Sequence, residues 1–187
     1  MSEPAIILAA GASRRLGRPK QLVQAGGQSL LRRTVRAALE TCAPVLVVVG
    51  HQGERMTEHL AGLPVTLVPN PGWEEGMASS IRAGILALPP DAPGALFLVC
   101  DQVALGAGLL GDLLAARRLH PGAVVTCGYG GGRGIPSWFP AARFPDLRAL
   151  RGDRGARALL DQEGVVVVPF PEGTRDVDLP ADLDGLC

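Results

Sequence analysis

The chain has 187 residues, 47% of them hydrophobic and 19% charged, and its 18 basic and 18 acidic side chains cancel. That composition excludes a disordered polymer, and the zero net charge gives no overall field for nucleic acid or an anionic membrane. A chain of this length buries about 70% of its unfolded surface, so one domain over residues 1–187 is expected to hold without a disulfide or structural metal.

Strands are predicted at 5–10, 45–50, 65–68, 95–100, 123–127 and 165–170, each a near-continuous apolar run of the kind covered on both faces. Helices are predicted at 29–42, 53–60, 77–88, 109–120 and 155–163. In the first, Leu30, Leu31, Val35, Ala38 and Leu39 form one stripe with arginines opposite. Pro89-Pro90 and Pro121-Gly122 stop the third and fourth. The alternation predicts an α/β three-layer sandwich, Rossmann-like, around a mostly parallel sheet. The glycine-rich stretch 128–134 breaks the rhythm, and its flanks are expected to pair as an antiparallel excursion at the sheet edge. Cys42, Cys100, Cys127 and Cys187 lie far apart, with neither metal-ligand nor redox spacing. Met1-Ser-Glu-Pro carries no export signal and no apolar run nears ~20 residues, so a soluble cytoplasmic protein with free thiols is expected.

Ligands of such sheets lie beyond the carboxyl ends of the strands. The first strand runs into Gly11, Ser13, Arg14, Gly17 and Lys20, small residues and cations suited to an anion. The spacing is neither that of a Walker loop nor that of a dinucleotide fold. The third strand leads through Asn70 and Trp73 to Gly76-Met-Ala-Ser79-Ser80, which opens a helix. Those hydroxyls either satisfy free backbone groups or bind a base or ribose; Trp73 reads as a packed loop aromatic. Asp101 follows the fourth strand and reads either as a turn residue or as an Mg²⁺ ligand, since magnesium takes one or two carboxylates plus substrate phosphates. Asp176-Val-Asp178 puts two carboxylates on one face of an extended segment, in what reads as a solvated turn. His51, His59 and His120 are isolated and take no role.

Together these segments resemble the molybdopterin guanylyltransferase-like nucleotidyltransferases, and among them the molybdenum cofactor cytidylyltransferases. Leu8-Ala-Ala-Gly11-Ala-Ser13-Arg-Arg15-Leu-Gly17-Arg-Pro-Lys20 matches the opening L-A-A-G-x-S-x-R-x-G-x-x-K pattern. Asn70 through Gly76-Met77 to Ser80, Asp101-Gln102, Gly152-Asp153 to Arg157, and Asp176 to Leu183 match the later motifs in order. Val103 replaces the usual proline, and Ile135 replaces the Asn or His before Pro136.

The resemblance implies nucleotide contacts at Leu8, Ala9, Ala10, Gly11, Ser13, Arg15, Gly76, Ser79 and Ser80. It implies catalytic roles for Lys20, Asp101 and Arg14, Mg²⁺ held by Asp101 and Asp178, and acceptor contacts at Gly134, Pro136 and Asp153. In this family L-A-A-G accompanies cytidylyl transfer and L-A-G-G guanylyl transfer, so Ala10 implies CTP. The implied reaction moves CMP from CTP to the terminal phosphate of molybdopterin or its metal-loaded form, releasing pyrophosphate. The alternatives are a guanylyltransferase on the same cofactor, a nucleotidyltransferase for another phosphorylated small molecule, and a non-catalytic carrier that hands cofactor to a client molybdoenzyme.

Overall fold

The computed structural model describes residues 3–153 and 155–183. Inside its main sheet runs β1 (Glu3–Leu8); the pleat that it and the residues after it follow sends Ala5, Ile7 and Ala9 to one apolar core and Ile6, Leu8 and Ala10 to another. A strand buried on both faces must be apolar throughout, which is why this stretch reads as an unbroken run. Ile6 and Ile7 are fully buried, and each contributes about 1.5–3 kcal/mol relative to exposure.

β4 (Cys42–Val49) and β6 (Gly94–Val99) flank β1 in parallel, and β5 (Thr66–Pro69) lies outside β4. Helices α1 (Leu30–Leu39), α2 (Gly53–His59) and α4 (Ala107–Leu119) cover one face, burying Val35, Met56 and Leu110. Helices α3 (Met77–Leu86), α5 (Phe144–Ala149) and α6 (Arg157–Leu160) cover the other, burying Ile81, Leu147 and Leu160. The three-layer α/β arrangement expected from the sequence is the one observed.

Several boundaries differ. Ser29 caps α1, its hydroxyl accepting from the Arg32 N–H at 3.2 Å, and the helix ends at Leu39 so that Cys42 can enter β4. The helix expected over 155–163 contracts to the single turn of α6, with Gly155 before it and Gly164, at φ +77°, after it.

The glycine-rich stretch forms a hairpin between β7 (Val125–Tyr129) and β8 (Gly132–Pro140). Gly130 and Gly131 have φ of +56° and +74°, the left-handed pair that a two-residue hairpin turn requires. The antiparallel pairing agrees with expectation, but its position does not. Strand order is β5-β4-β1-β6-β8-β7-β9; β8 pairs with β6 and β7, and β9 (Val166–Pro169) adds parallel to β7 at the rim, so both hairpin strands lie inside the sheet. Local pairing of the hairpin was readable from its glycines; the strand that closes over it comes from a distant segment. A small second sheet joins β2 (Gln24–Ala25) to β3 (Gln28–Ser29).

Among the described residues no helix is long and apolar enough to cross a membrane. Cys42, Cys100 and Cys127 are buried free thiols, and Cys187 lies outside the described residues.

Candidate active site

Strand connections diverge between β1 and its neighbours, and a cavity of about 420 Å³ opens beyond the carboxyl ends of β1 and β6. Its first wall is the loop after β1. Gln21 is buried there, and its amide donates to the carbonyls of Ala9 at 3.0 Å and Gly11 at 2.8 Å. Ser13, at φ +54°, turns the chain back, and its hydroxyl accepts from the Lys20 N–H at 3.1 Å. These bonds fold the loop onto itself and carry Lys20 to the cavity mouth.

Lys20 is the centre of a charge cluster. Its ammonium donates to Asp101 Oδ2 and lies 3.2 Å from Asp178 Oδ1, while Arg15 Nη2 lies 2.8 Å from Asp178 Oδ2. Asp178 arrives from the far end of the chain for two reasons. The Val177 N–H donates to the Asp101 carbonyl at 3.0 Å, and the Val177 side chain is buried among Leu16, Val23, Ala25 and Leu30. Asp182 then fixes the turn by accepting from the N–H groups of Asp178 and Leu179. Burial alone would lower the Lys20 pKa, but the facing carboxylates outweigh it and hold the ammonium above its ordinary value. Asp176 is open to solvent as a residue, yet crowding of its carboxyl and the negative charges of Asp101 and Asp178 push its pKa up to about 6.

The second wall is the start of α3. Asn70 donates to the hydroxyls of Ser79 at 2.9 Å and Ser80 at 3.1 Å, and Ser79 in turn donates to the Gly76 carbonyl at 2.8 Å. Gly76 has φ +112°, and any Cβ there would strike the backbone of Gly152 and Asp153, which dock against it. The Ala78 N–H completes that contact by donating to the Gly152 carbonyl at 3.0 Å.

The cavity is therefore bordered by Leu8, Ala10, Gly11, Ser13, Arg14, Arg15, Lys20, Gly76, Ser80, Asp101, Asp153 and Asp178. Ala9 and Ser79 stand behind that surface, Ala9 because strand parity turns it to the opposite core. Gly134 and Pro136 lie in a bulge of β8 and do not border the cavity; between them the Ile135 carbonyl accepts from Gln102 at 2.9 Å. Ala12, Leu16, Glu74, Met77, Val99 and Cys100 also border the cavity without having been singled out from sequence, and so do two larger side chains, Gln21 and Trp73. The position of Gln21 beside Lys20 was the available signal for the first; nothing local distinguished the second from an ordinary packed aromatic.

Among the described residues no group of three or more His, Cys, Asp or Glu side chains is arranged to hold a metal ion. Asp101 Oδ1, however, is buried with no hydrogen-bond partner. A buried carboxylate oxygen without a partner at the border of this cavity, with the Asp178 carboxylate on the same lysine, fits magnesium, which completes its shell from substrate phosphates and water.

A strand-end loop of small residues and cations facing paired carboxylates defines a nucleotidyltransferase class of site. The chain belongs to the family of the MobA-like NTP transferase domain, whose model matches residues 5–167. It is 32% identical to the nicotine blue oxidoreductase of Paenarthrobacter nicotinovorans over 84% of this chain and 81% of that one. It is 30% identical to the probable molybdenum cofactor guanylyltransferase of Opitutus terrae, over 90% and 85%. A 94-residue match at 44% identity, to the bifunctional IPC transferase and DIPP synthase of Rubrobacter xylanophilus, takes in 46% of this chain and only 21% of that longer protein. Among solved structures, the homologue of Mycobacterium tuberculosis Rv0371c from Mycobacterium sp. strain JC1 superposes with a TM-score of 0.81 at 30% identity, covering 98% of this chain and 96% of that one.

Proposed function

We propose that this nucleotidyltransferase moves CMP from CTP to the terminal phosphate of molybdopterin or its metal-loaded form, releasing pyrophosphate. The observation that carries the reading is the meeting of Lys20, Asp101 and Asp178 at the mouth of a cavity walled by Ala10, Gly76 and Ser80.

The attacking phosphate is already an anion, so the site needs no general base; its task is to hold attacking and leaving oxygens in line and to neutralise charge. Backbone N–H groups around Gly11 and Ser13 face the triphosphate, with Arg14 and Arg15 at the rim. Lys20 exchanges its carboxylate partners for the departing pyrophosphate oxygens. Asp101 and Asp178 would hold Mg²⁺, which when bound supplies a Lewis acid for the phosphate oxygens. Ser80 faces the nucleoside, whereas Ser79, committed to the Gly76 carbonyl, holds the turn, and Ala9 presents only backbone. Asp153 borders the acceptor side; Gly134 and Pro136 contribute by shaping the bulge that aims the Ile135 carbonyl at Gln102, beside Asp101.

The choice of CTP rests on the Ala10 methyl, which occupies space where a larger base would need a glycine. The similarity to a probable guanylyltransferase over 90% of the chain favours GTP as the second reading. Pyrophosphate release measured with each triphosphate, with and without molybdopterin, tests the proposal. Release that requires CTP and the acceptor together supports it. Release with GTP alone among the four moves the reading to guanylyl transfer.

A further inference from the structure

We propose that Trp73 is the wall that sets the size of the nucleobase this cavity admits. The proposal rests on the nucleotide reading above and assigns a specificity residue within it.

Trp73 borders the cavity together with Ala10. It sits in the turn Trp73–Glu75 ahead of α3, and that turn is pinned at both ends. The Trp73 N–H donates to the Asn70 carbonyl at 3.3 Å, the Gly76 N–H donates to the Trp73 carbonyl at 3.1 Å, and the Asn70 N–H donates to Val49 at the end of β4 at 2.8 Å. The same Asn70 side chain holds Ser79 and Ser80, so the indole and the hydroxyl proposed to face the nucleoside share one anchor.

The indole is also backed from two directions. A Cβ on Gly50 would lie 2.7 Å from Trp73 Cβ and 2.9 Å from Ala10 Cβ, so both side chains close over bare backbone at Gly50. On another side the His51 ring meets the indole edge-to-face, with centroids 5.1 Å apart. Trp73 is half-exposed and borders the cavity. A side chain held at its base by Gly50 and along its ring by His51, on a turn pinned at both ends, resists displacement by a second fused ring. The Ala10 methyl removes one corner of the space, and the indole removes the larger share.

Affinities for CTP and GTP, measured by calorimetry on the wild-type chain and on Trp73→Ala and Trp73→Phe, test the inference. Truncation to alanine should move the GTP:CTP affinity ratio toward GTP by about tenfold or more, with a smaller move for phenylalanine, since a single methylene in such a pocket already discriminates about tenfold. A ratio in Trp73→Ala that stays at the wild-type value overturns the assignment. A second measurement needs only the milder variant. Trp138, the other tryptophan, is 1% exposed, so quenching of intrinsic fluorescence by CTP should be lost in Trp73→Phe. Equal quenching in both proteins also overturns it. A wild-type chain that binds neither triphosphate fails the nucleotide reading itself, and binding with an unchanged ratio fails the wall alone.

Discussion

Lys20 and Asp101 stand 81 residues apart in the chain and meet at the mouth of the cavity, the ammonium donating directly to Asp101 Oδ2. The pairing holds the loop after β1 against the end of β6 while one oxygen of the same carboxylate stays unbonded. Asp101 therefore has a structural partner and a vacant acceptor at once.

That division makes Asp101→Asn informative. The amide preserves shape but removes the charge that a divalent ion and Lys20 both use. Turnover should fall by about 10²–10³-fold or more, with a melting temperature within a few degrees of wild type. Near-normal turnover would remove Asp101 from the chemistry.

Lys20→Met should weaken CTP binding by about tenfold or more, because a charge-assisted contact to the triphosphate is lost. It should also cost about 1–2 kcal/mol of stability, since Asp101 is left mostly buried beside Asp178 without its cation. The sign with pH follows from the raised Lys20 pKa. The ion-pair contribution is complete below the unfolded-state value of 10.5 and fades only as pH rises through the higher folded value. Denaturation of wild type and variant at pH 7 and pH 9 should therefore give the same difference.

Gly76→Ala should destabilise the chain by about 1–3 kcal/mol. The φ of +112° disfavours any side chain, and an added Cβ would lie 2.6 Å from the Gly152 carbonyl carbon. A thermal melt several degrees below wild type is expected. An unchanged melt would mean that the contact between the α3 start and the 152–153 turn yields freely.

Burial pushes the Cys100 and Cys127 thiols up to about 12. At pH 8 both should therefore stay protonated and enclosed, and iodoacetamide should leave them unlabelled in the native protein but label them in denaturant. Peptide mass spectrometry reads each site separately, and native-state labelling at either would contradict the packing.

The strands and the cationic loop were legible because they obey local rules. A strand covered twice is apolar at every position, and a carboxylate at the tip of one, such as Asp101, needs a reason to be there. Strand parity also carried a correction that was available from sequence alone, since adjacent Ala9 and Ala10 must face opposite cores. The rest depended on long-range partners. Nothing beside Val177 says that it will be buried among Leu16 and Leu30, yet that burial delivers Asp178 to Lys20. Gly50 explains where Trp73 rests, but the two meet only after β4 and the turn before α3 are assembled. The interior position of β7 likewise follows from β9, which lies far along the chain.

The most direct measurement is the mass of the product formed when the chain is incubated with all four triphosphates, Mg²⁺ and molybdopterin. The predicted result is a single cytidylyl adduct of molybdopterin with one pyrophosphate released per adduct. A guanylyl adduct would contradict the assignment of CTP, and the absence of any nucleotidyl adduct would contradict the proposed reaction as a whole.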